Sequence, residues 1–244
     1  MDTSSSAGAI EDRYAFLESF NVVFLIDDSG SMAGRAWRET REALKTIVPI
    51  CTERDTDGID LYFLNHPDPS ICANMATPEM VMDIFQTVRP GGSTPTGRRL
   101  QNILGPYLQC YEKDPETTKP MNIIVITNGQ PSDDVAAPII ACAQTLDNLE
   151  APAWQVGIQS LQVGREAGAQ EALRQLDDGM RELSGNNEIR DIVDTVPFTG
   201  GDGGKLSDLG VLKVVLGSVI RRLDRRSKDL HYENTVTSNN IEDL

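Results

Sequence analysis

An acidic residue and two serines follow the first long apolar run of the sequence. After Val22–Ile26 come Asp27, Ser29 and Ser31, with Gly30 between the serines. Residues two apart in an extended loop can direct their side chains towards one point. One carboxylate and two hydroxyls are hard oxygen ligands, which suit Mg²⁺, Mn²⁺ or Ca²⁺ rather than zinc or copper. The same residue types also cap helices, so a purely structural role stays open.

Two further loops carry oxygen-bearing side chains. Thr94 lies in Gly91–Gly97, where glycines and a proline constrain the backbone, and Asn128 follows the apolar run Met121–Thr127. Both have structural alternatives, because a threonine can cap the next helix and Asn128-Gly129 is a common turn sequence. We expect both side chains to join the first loop at one edge of the predicted sheet.

Apolar runs alternate with helical patterns along the chain, which predicts an α/β fold with a mostly parallel sheet. The runs lack a polar alternation, as is typical of strands buried on both faces. We expect strands over residues 22–26, 59–64, 121–127, 154–163 and 192–196, and helices over 35–50, 78–88, 98–111, 133–149, 166–183 and 207–226. Pro49 should fray the end of the first helix. In such sheets ligands bind beyond the carboxyl ends of the strands, which is where the three loops lie.

The composition argues against several classes of function. The chain has 244 residues, with 22 Lys+Arg against 37 Asp+Glu and a net charge of −15. We therefore expect no nucleic-acid or membrane partner, because binding to phosphates depends on basic residues. The sequence has no basic, apolar leader, no Asn-x-Ser/Thr sequon and no CxxC pair. We expect an intracellular, cytoplasmic protein without structural zinc.

Three enzymatic or nucleotide-binding patterns lack residues that they require. Ser29 stands where phosphotransferases of the haloacid dehalogenase type need a second Asp, and neither Asn65 nor Asn128 is the phosphoacceptor Asp that a response-regulator receiver needs. Around Gly200–Lys205, Thr199 stands where a P-loop needs Gly, and Leu206 stands where it needs Ser or Thr. An enzyme in which Mg²⁺ or Mn²⁺ activates an anionic small molecule as a Lewis acid stays open as an alternative.

Together, the three loops resemble the von Willebrand factor A (vWA) domain family. Its metal-ion-dependent adhesion site has D-x-S-x-S after the first strand, a Thr in a glycine-flanked loop and an Asp after a later strand. The sequence matches at Asp27, Ser29, Ser31 and Thr94. The resemblance implies a doubly wound sheet of six strands, one of them an antiparallel edge strand, with helices on both faces. It also implies Mg²⁺ or Mn²⁺ at the carboxyl edge of the sheet.

The resemblance covers nearly the whole chain. We expect a vWA-like domain over residues 20–226, between a polar N-terminal tail over 1–19 and a polar C-terminal tail over 227–244. The chain is more similar to free-standing intracellular vWA proteins of fungi than to secreted adhesion molecules.

Asn128 departs from the pattern, because the family has Asp there. An amide oxygen can coordinate a cation or hold a metal-bound water, but it carries no charge. Fewer charged ligands weaken retention of the cation and leave it more electrophilic towards an anionic ligand. Asp28, Asp133 or Asp134 could supply another carboxylate nearby.

The resemblance implies a divalent-cation-dependent binding module with one open coordination position. An acidic group of a protein partner would complete the coordination, so that an acidic chain can bind an acidic ligand. We expect Asp27 to be the anionic ligand, Ser29 and Ser31 to coordinate by hydroxyl, Thr94 to join directly or through water, and Asn128 to hold a water. Basic residues after two of the loops could attract an anion, although such residues more often belong to solvated helix faces; they are Arg35, Arg38, Arg98 and Arg99.

Overall fold

The apolar runs of the sequence form the strands of one parallel sheet in the computed structural model of the protein. The structure describes residues 15–54, 58–66, 77–164, 189–197, 214, 215 and 217. The strands are β1 Asn21–Ile26, β2 Asp60–Phe63, β3 Met121–Thr127, β4 Val156–Gln162 and β5 Val193–Pro197. The helices are α1 Arg35–Arg54, α2 Pro78–Thr87, α3 Thr96–Lys113 and α4 Ala136–Asn148, and short 3₁₀ turns span Ala15–Ser19 and Gly30–Met32.

The order of the strands reverses between β1 and β3. The sheet runs β2-β1-β3-β4-β5, and every neighbouring pair is parallel. The chain thus proceeds from β1 outwards to β2 on one side, and from β3 through β5 on the other. Ligands of open α/β sheets bind at such a reversal, beyond the carboxyl ends of the strands. Ile26 pairs with Ile126, so Asp27 and Thr127 come next to each other at that edge.

Alternating side chains of the central strands divide the apolar core into two layers. Val22, Phe24 and Ile26 of β1 pack on the face covered by α1 and α2. Val23 and Leu25 pack on the opposite face, which α3 and α4 cover. Because both faces are buried, the predicted doubly wound α/β fold with helices on both faces is confirmed.

Pro49 does not end α1, so the prediction that it frays the helix end is wrong. The helix continues through Pro49 to Arg54. A proline in a helix interior removes one backbone hydrogen bond and crowds the preceding turn. Ile47, Val48 and Cys51 are fully buried on the core face of this segment. Their packing stabilises the last turns despite the proline, an effect of tertiary contacts that local sequence does not display.

The sheet has five strands, all parallel, in the part of the chain that the structure describes. They are the five strands that the apolar runs predict, whereas the sixth, antiparallel strand came only from the resemblance. The predicted helix over 166–183 lies outside the described residues. Of the one predicted over 207–226, the structure describes residues 214, 215 and 217 as helical. No helix within the described ranges has the length and apolarity needed to cross a bilayer.

The described chain begins before the predicted domain boundary. Leu17, in the turn Ala15–Ser19, is buried in the core layer of α1. The limits of the domain and of its tails stay a prediction.

Burial shifts the pKa of two side chains in the α3–α4 layer, Tyr107 and Cys142. The Tyr107 hydroxyl donates to the Lys119 carbonyl oxygen over 3.0 Å and accepts from Gln155 Nε2 over 2.7 Å. Burial raises the pKa of the Tyr107 phenol. Burial also raises the pKa of the Cys142 thiol to about 12, although the charge of Arg190 acts in the opposite direction. Lys119 and Gln155 precede β3 and β4, so the tyrosine network stabilises the edge of the sheet opposite the three loops.

Candidate metal centre

Asp27 is buried where β1 and β3 end. Its Oδ1 accepts a hydrogen bond from the Ser29 backbone N–H over 2.8 Å, and its Oδ2 accepts one from Thr127 Oγ1 over 2.7 Å. The side chain has no solvent exposure. Burying a carboxylate is costly unless donors face it, and here one donor comes from its own loop and one from the neighbouring strand. The carboxylate is therefore held in one orientation.

The side chains of Ser29, Ser31 and Asn128 form a chain of hydrogen bonds. Ser31 Oγ donates to Asn128 Oδ1 over 3.0 Å, and Ser29 Oγ lies 3.0 Å from Ser31 Oγ. Since the single hydroxyl proton of Ser31 is used for Asn128, Ser29 is the donor in the second contact. Two loops that are about 100 residues apart in sequence thus bring two hydroxyls and an amide oxygen together.

The amide of Asn128 has a defined orientation. Its Nδ2 donates to the Ser31 backbone carbonyl over 2.8 Å, which turns Oδ1 towards the serine hydroxyls. Gly164, after β4, packs against it, because a Cβ at Gly164 would lie 3.4 Å from Asn128 Cβ. The backbone bends at Asn128 and Gly129, where the Gly129 N–H bonds to Thr127 Oγ1 over 3.3 Å. The asparagine is thus more than a bend residue, because its side chain crosslinks two loops.

Thr94 lies in the adjoining loop. The Gly30 backbone N–H donates to the Gly92 carbonyl over 3.1 Å, which joins this loop to the one that carries the serines. The Thr94 backbone N–H bonds to Ser132 Oγ over 3.2 Å, and the Ser132 N–H bonds to the Thr94 carbonyl over 2.9 Å. Within the described ranges, no side chain of the serine–asparagine chain bonds to the Thr94 hydroxyl. The structure therefore clusters Asp27, Ser29, Ser31 and Asn128 and places Thr94 in the neighbouring loop.

Neither threonine of the glycine-flanked loop caps α3, so that alternative is wrong. Pro95 occupies the N-cap position, and its own side chain makes no capping bond. Asp133 caps the helix from another loop: its carboxylate accepts from the Gly97 N–H over 2.9 Å and the Arg98 N–H over 2.8 Å.

The remaining acids near the loops also hold backbone amides. Asp134 accepts from the Ala137 N–H over 3.1 Å at the start of α4. Asp28 accepts from the backbone N–H groups of Asn65, over 2.8 Å, and His66, over 2.9 Å. The candidate centre therefore contains one carboxylate, that of Asp27. In the described part of the chain, no three or more His, Cys, Asp or Glu form a group that could hold a metal.

Two of the four arginines are engaged by neighbouring side chains. Arg35 Nε donates to Glu39 Oε1 over 2.7 Å, and the Arg99 guanidinium lies 5.6 Å from the centre of the Tyr62 ring. The side chains of Arg38 and Arg98 are exposed. A role for these residues in attracting an anion stays a prediction.

Four residues that the sequence did not mark as site candidates hold the site residues in place. The Thr127 hydroxyl donates to the Asp27 carboxylate, the Asn65 backbone N–H donates to the Asp28 carboxylate, and the Ser132 hydroxyl accepts from the Thr94 backbone N–H. Glu39 of α1 accepts from the Gly164 N–H over 2.7 Å, and thereby holds the loop that packs against Asn128. Only the place of Thr127 beside Asp27 could have been foreseen, from the register of two adjacent strands that end together.

The donor set fits a hard divalent cation. It offers a carboxylate, serine hydroxyls and an amide oxygen, and no nitrogen or sulfur ligand. Mg²⁺, Mn²⁺ and Ca²⁺ prefer such oxygen ligands, and Mg²⁺ retains several waters when bound by few carboxylates. Asp27 would supply charge there, and the hydroxyl and amide oxygens would supply neutral coordination.

The chain is similar to known proteins in a family model and in solved structures. A family model described as von Willebrand factor type A domain matches residues 21–186. The manganese-loaded TRAP protein of Plasmodium vivax is similar at 15% identity and a TM-score of 0.40, covering 74% of this chain and 69% of that chain. A mutant PilB minor pilin from Streptococcus sanguinis is similar at 12% identity and a TM-score of 0.50, covering 84% of this chain and 62% of that chain. No curated protein sequence matches the chain.

The family model matches more than half of the sequence, so the chain belongs to the von Willebrand factor type A domain family. Domains of this family are commonly metal-dependent modules that bind proteins. The similarity to the pilin is evidence for the fold and not for a function. The metal ligands of this chain and its similarity to free-standing fungal proteins stay predictions.

Substitutions in α3 test how tightly the Thr94 loop is packed against the 133–134 turn. A Cβ at Gly97 would lie 2.0 Å from the Asp134 carbonyl oxygen, whereas a Cβ at Gly105 of the same helix has no atom within 4 Å. We expect Gly97→Ala to lower the free energy of unfolding by at least about 1–3 kcal/mol. Gly105→Ala, the matched control, should raise it by up to about 1 kcal/mol. Urea denaturation measures both, and equal stability of the two variants would contradict the packing described.

Proposed function

We propose that the protein is a divalent-cation-dependent binding module that recognises an acidic group of a protein partner. The observation that carries the proposal is the convergence of Ser29, Ser31 and Asn128 in one hydrogen-bonded chain beside the Asp27 carboxylate. This convergence lies where the strand order reverses, the place at which open α/β sheets bind ligands.

Each residue has a proposed part in holding Mg²⁺ or Mn²⁺, with Ca²⁺ as a further option. Asp27 is the anionic ligand, and Ser29 and Ser31 coordinate through their hydroxyls. Asn128 holds a water through its amide oxygen, and Thr94 joins directly or through water when a partner is bound.

The charge of the site supports an acidic ligand. A dication beside the single carboxylate of Asp27 keeps a net charge of about +1, which favours an anion at an open position. The same arrangement reconciles a chain of net charge −15 with an acidic partner. We propose no nucleic-acid and no membrane partner.

A cytoplasmic location belongs to the same proposal. Cys110 and Cys142 are free thiols, and Cys110 is exposed. Free thiols are typical of proteins in reducing compartments.

Asp27→Asn removes the charge and keeps the shape of the side chain. The amide oxygen can accept from the Ser29 N–H, and the amide nitrogen can donate to Thr127 Oγ1, because a hydroxyl also accepts. We expect calorimetric titration with Mg²⁺ and Mn²⁺ to saturate for the unmodified chain and to show no saturation at millimolar cation for the variant. The melting temperature should fall by less than about 4 °C.

Asp114→Asn is the matched control for Asp27→Asn. Asp114 accepts from the Thr117 N–H and hydroxyl at the far end of α3, so the variant makes the same charge change away from the site. It should bind cations like the unmodified chain. Absence of binding by the unmodified chain at millimolar cation would refute the proposal.

Asn128→Asp should act in the opposite direction. The new carboxylate oxygen would face the Ser31 carbonyl, which Nδ2 now contacts over 2.8 Å, so the cation-free variant loses about 1–3 kcal/mol of stability. The second charge should also tighten Mg²⁺ binding. We therefore expect Mg²⁺ to raise the melting temperature of the variant more than that of the unmodified chain. Asn148→Asp, an equal charge change at the end of α4, is the control; a Mg²⁺-induced shift no larger than in that control would count against Asn128 lying near the ion.

Acetate can stand in for the acidic group of a partner. If a carboxylate completes the coordination, acetate and Mn²⁺ must strengthen each other's binding by the same factor. We expect the dissociation constant for Mn²⁺, corrected for complexes in solution, to be about fivefold or more lower in saturating acetate than in chloride of equal ionic strength. An unchanged or higher constant would argue against an open position for a carboxylate.

A further inference from the structure

We propose that Asp28 is a positioning residue of the candidate centre, whose carboxylate clamps the 65–66 turn and, through Asn65, the segment that carries Thr94. The inference rests on the proposed function in one respect: Thr94 matters to cation binding only if the cation is bound there. The clamp itself consists of contacts between described residues.

The Asp28 carboxylate is buried and accepts three hydrogen bonds. Oδ1 accepts from the Asn65 backbone N–H over 2.8 Å and from Asn65 Nδ2 over 3.2 Å. Oδ2 accepts from the His66 backbone N–H over 2.9 Å. Only 2% of the side chain is exposed. All three donors come from the turn after β2, so the carboxylate joins the ends of two neighbouring strands.

Asn65 extends this clamp to the loop before Thr94. Its Nδ2 also donates to the Ser93 carbonyl over 2.8 Å, so that one amide group bridges Asp28 and the residue next to Thr94. Gly92 has a φ of +86°, and a Cβ there would lie 2.7 Å from Asn65 Oδ1. The segment thus fits around the asparagine side chain, and glycine is required at this close approach.

Two backbone bonds complete the attachment. The Gly91 N–H donates to the Asp28 carbonyl over 2.7 Å, and the Gly30 N–H donates to the Gly92 carbonyl over 3.1 Å. The backbone before Thr94 is therefore held by the residues that flank Ser29 on both sides. This attachment and the two Ser132 bonds to the Thr94 backbone together set the distance between the Thr94 hydroxyl and the serine hydroxyls, because no bond within the described residues joins the hydroxyls themselves.

A carboxylate is required at position 28 because all three of its partners are N–H donors. In Asp28→Asn the amide nitrogen would have to face one of these donors, and one side of the clamp would open. Residues that orient a metal ligand affect cation affinity by about 10- to 100-fold. We expect a loss of that size for Mn²⁺ in Asp28→Asn.

A double-mutant cycle on the full chain distinguishes positioning from general destabilisation. Mn²⁺ affinity is measured from the electron paramagnetic resonance signal of free Mn²⁺ for the unmodified chain, Asp28→Asn, Thr94→Val and the double variant. Because Asp28 acts through Thr94, the double variant should bind no more weakly than the weaker single variant. Asp147→Asn is the control, since it removes the charge that pairs with Arg190 at the opposite edge of the sheet. It should lower the melting temperature without changing Mn²⁺ affinity.

Residue-resolved amide hydrogen exchange tests the clamp without any cation. In Asp28→Asn the amides of Gly30 and Gly91 should exchange faster, as should the amide of Asn65 or His66 that then faces the new amide nitrogen. In Asp147→Asn all four amides should keep their protection. Unchanged protection and Mn²⁺ affinity in Asp28→Asn would overturn the inference, as would single-variant effects that multiply in the double variant. If the unmodified chain binds no Mn²⁺, the proposed function fails, and the exchange data alone decide whether the clamp exists.

Discussion

The parallel pairing of β1 with β3 is the constraint on which the candidate centre depends. Ile26 lies opposite Ile126, and the Asp27 N–H donates to the Ile126 carbonyl over 2.9 Å. Thr127 Oγ1 then reaches the Asp27 carboxylate over 2.7 Å, and Asn128 follows at the position that meets Ser31. A shift of the register by one residue would turn Thr127 to the other face of the sheet. The buried charge would lose a donor, and the two loops would no longer meet.

Carboxylates organise the loops at this edge by accepting hydrogen bonds from backbone N–H groups. A carboxylate held by such donors restricts a loop without requiring a hydrophobic core beneath it. The carboxylate–amide contacts are Asp27 to Ser29, Asp28 to Asn65 and His66, Asp133 to Gly97 and Arg98, Asp134 to Ala137, and Glu39 to Gly164. Most of the acidic residues near the candidate centre therefore have structural roles. This division explains why an acidic chain presents a single carboxylate to the cluster of hydroxyls.

The neutral Asn128 is consistent with its surroundings. Asparagine both donates and accepts, and Asn128 uses the two ends of its amide on the carbonyl and the hydroxyl of Ser31. An aspartate there would have only acceptors, and one would face a carbonyl oxygen. The loop that carries the serines is thus joined to the end of β3 by the protein alone, and a hard cation would meet oxygen ligands that are already close together.

The apolar runs by themselves determined the class of fold, because strands buried on both faces need no polar alternation. The limits predicted for β3 match the structure at both ends. The types and spacing of Asp27, Ser29 and Ser31 likewise indicated a hard-cation site, since hydroxyl and carboxylate oxygens have that preference wherever they lie. Local patterns failed where packing overrides propensity: burial carries α1 through Pro49, and Asp133 caps α3 from a distant loop. Only the tertiary structure decided the direction of the Asn128 amide and the role of Asp28 as a clamp. Asn128 and Ser31 are 97 residues apart, and Asp28 and Asn65 are 37 residues apart. Strand order and register decide whether such distant residues meet as hydrogen-bond partners.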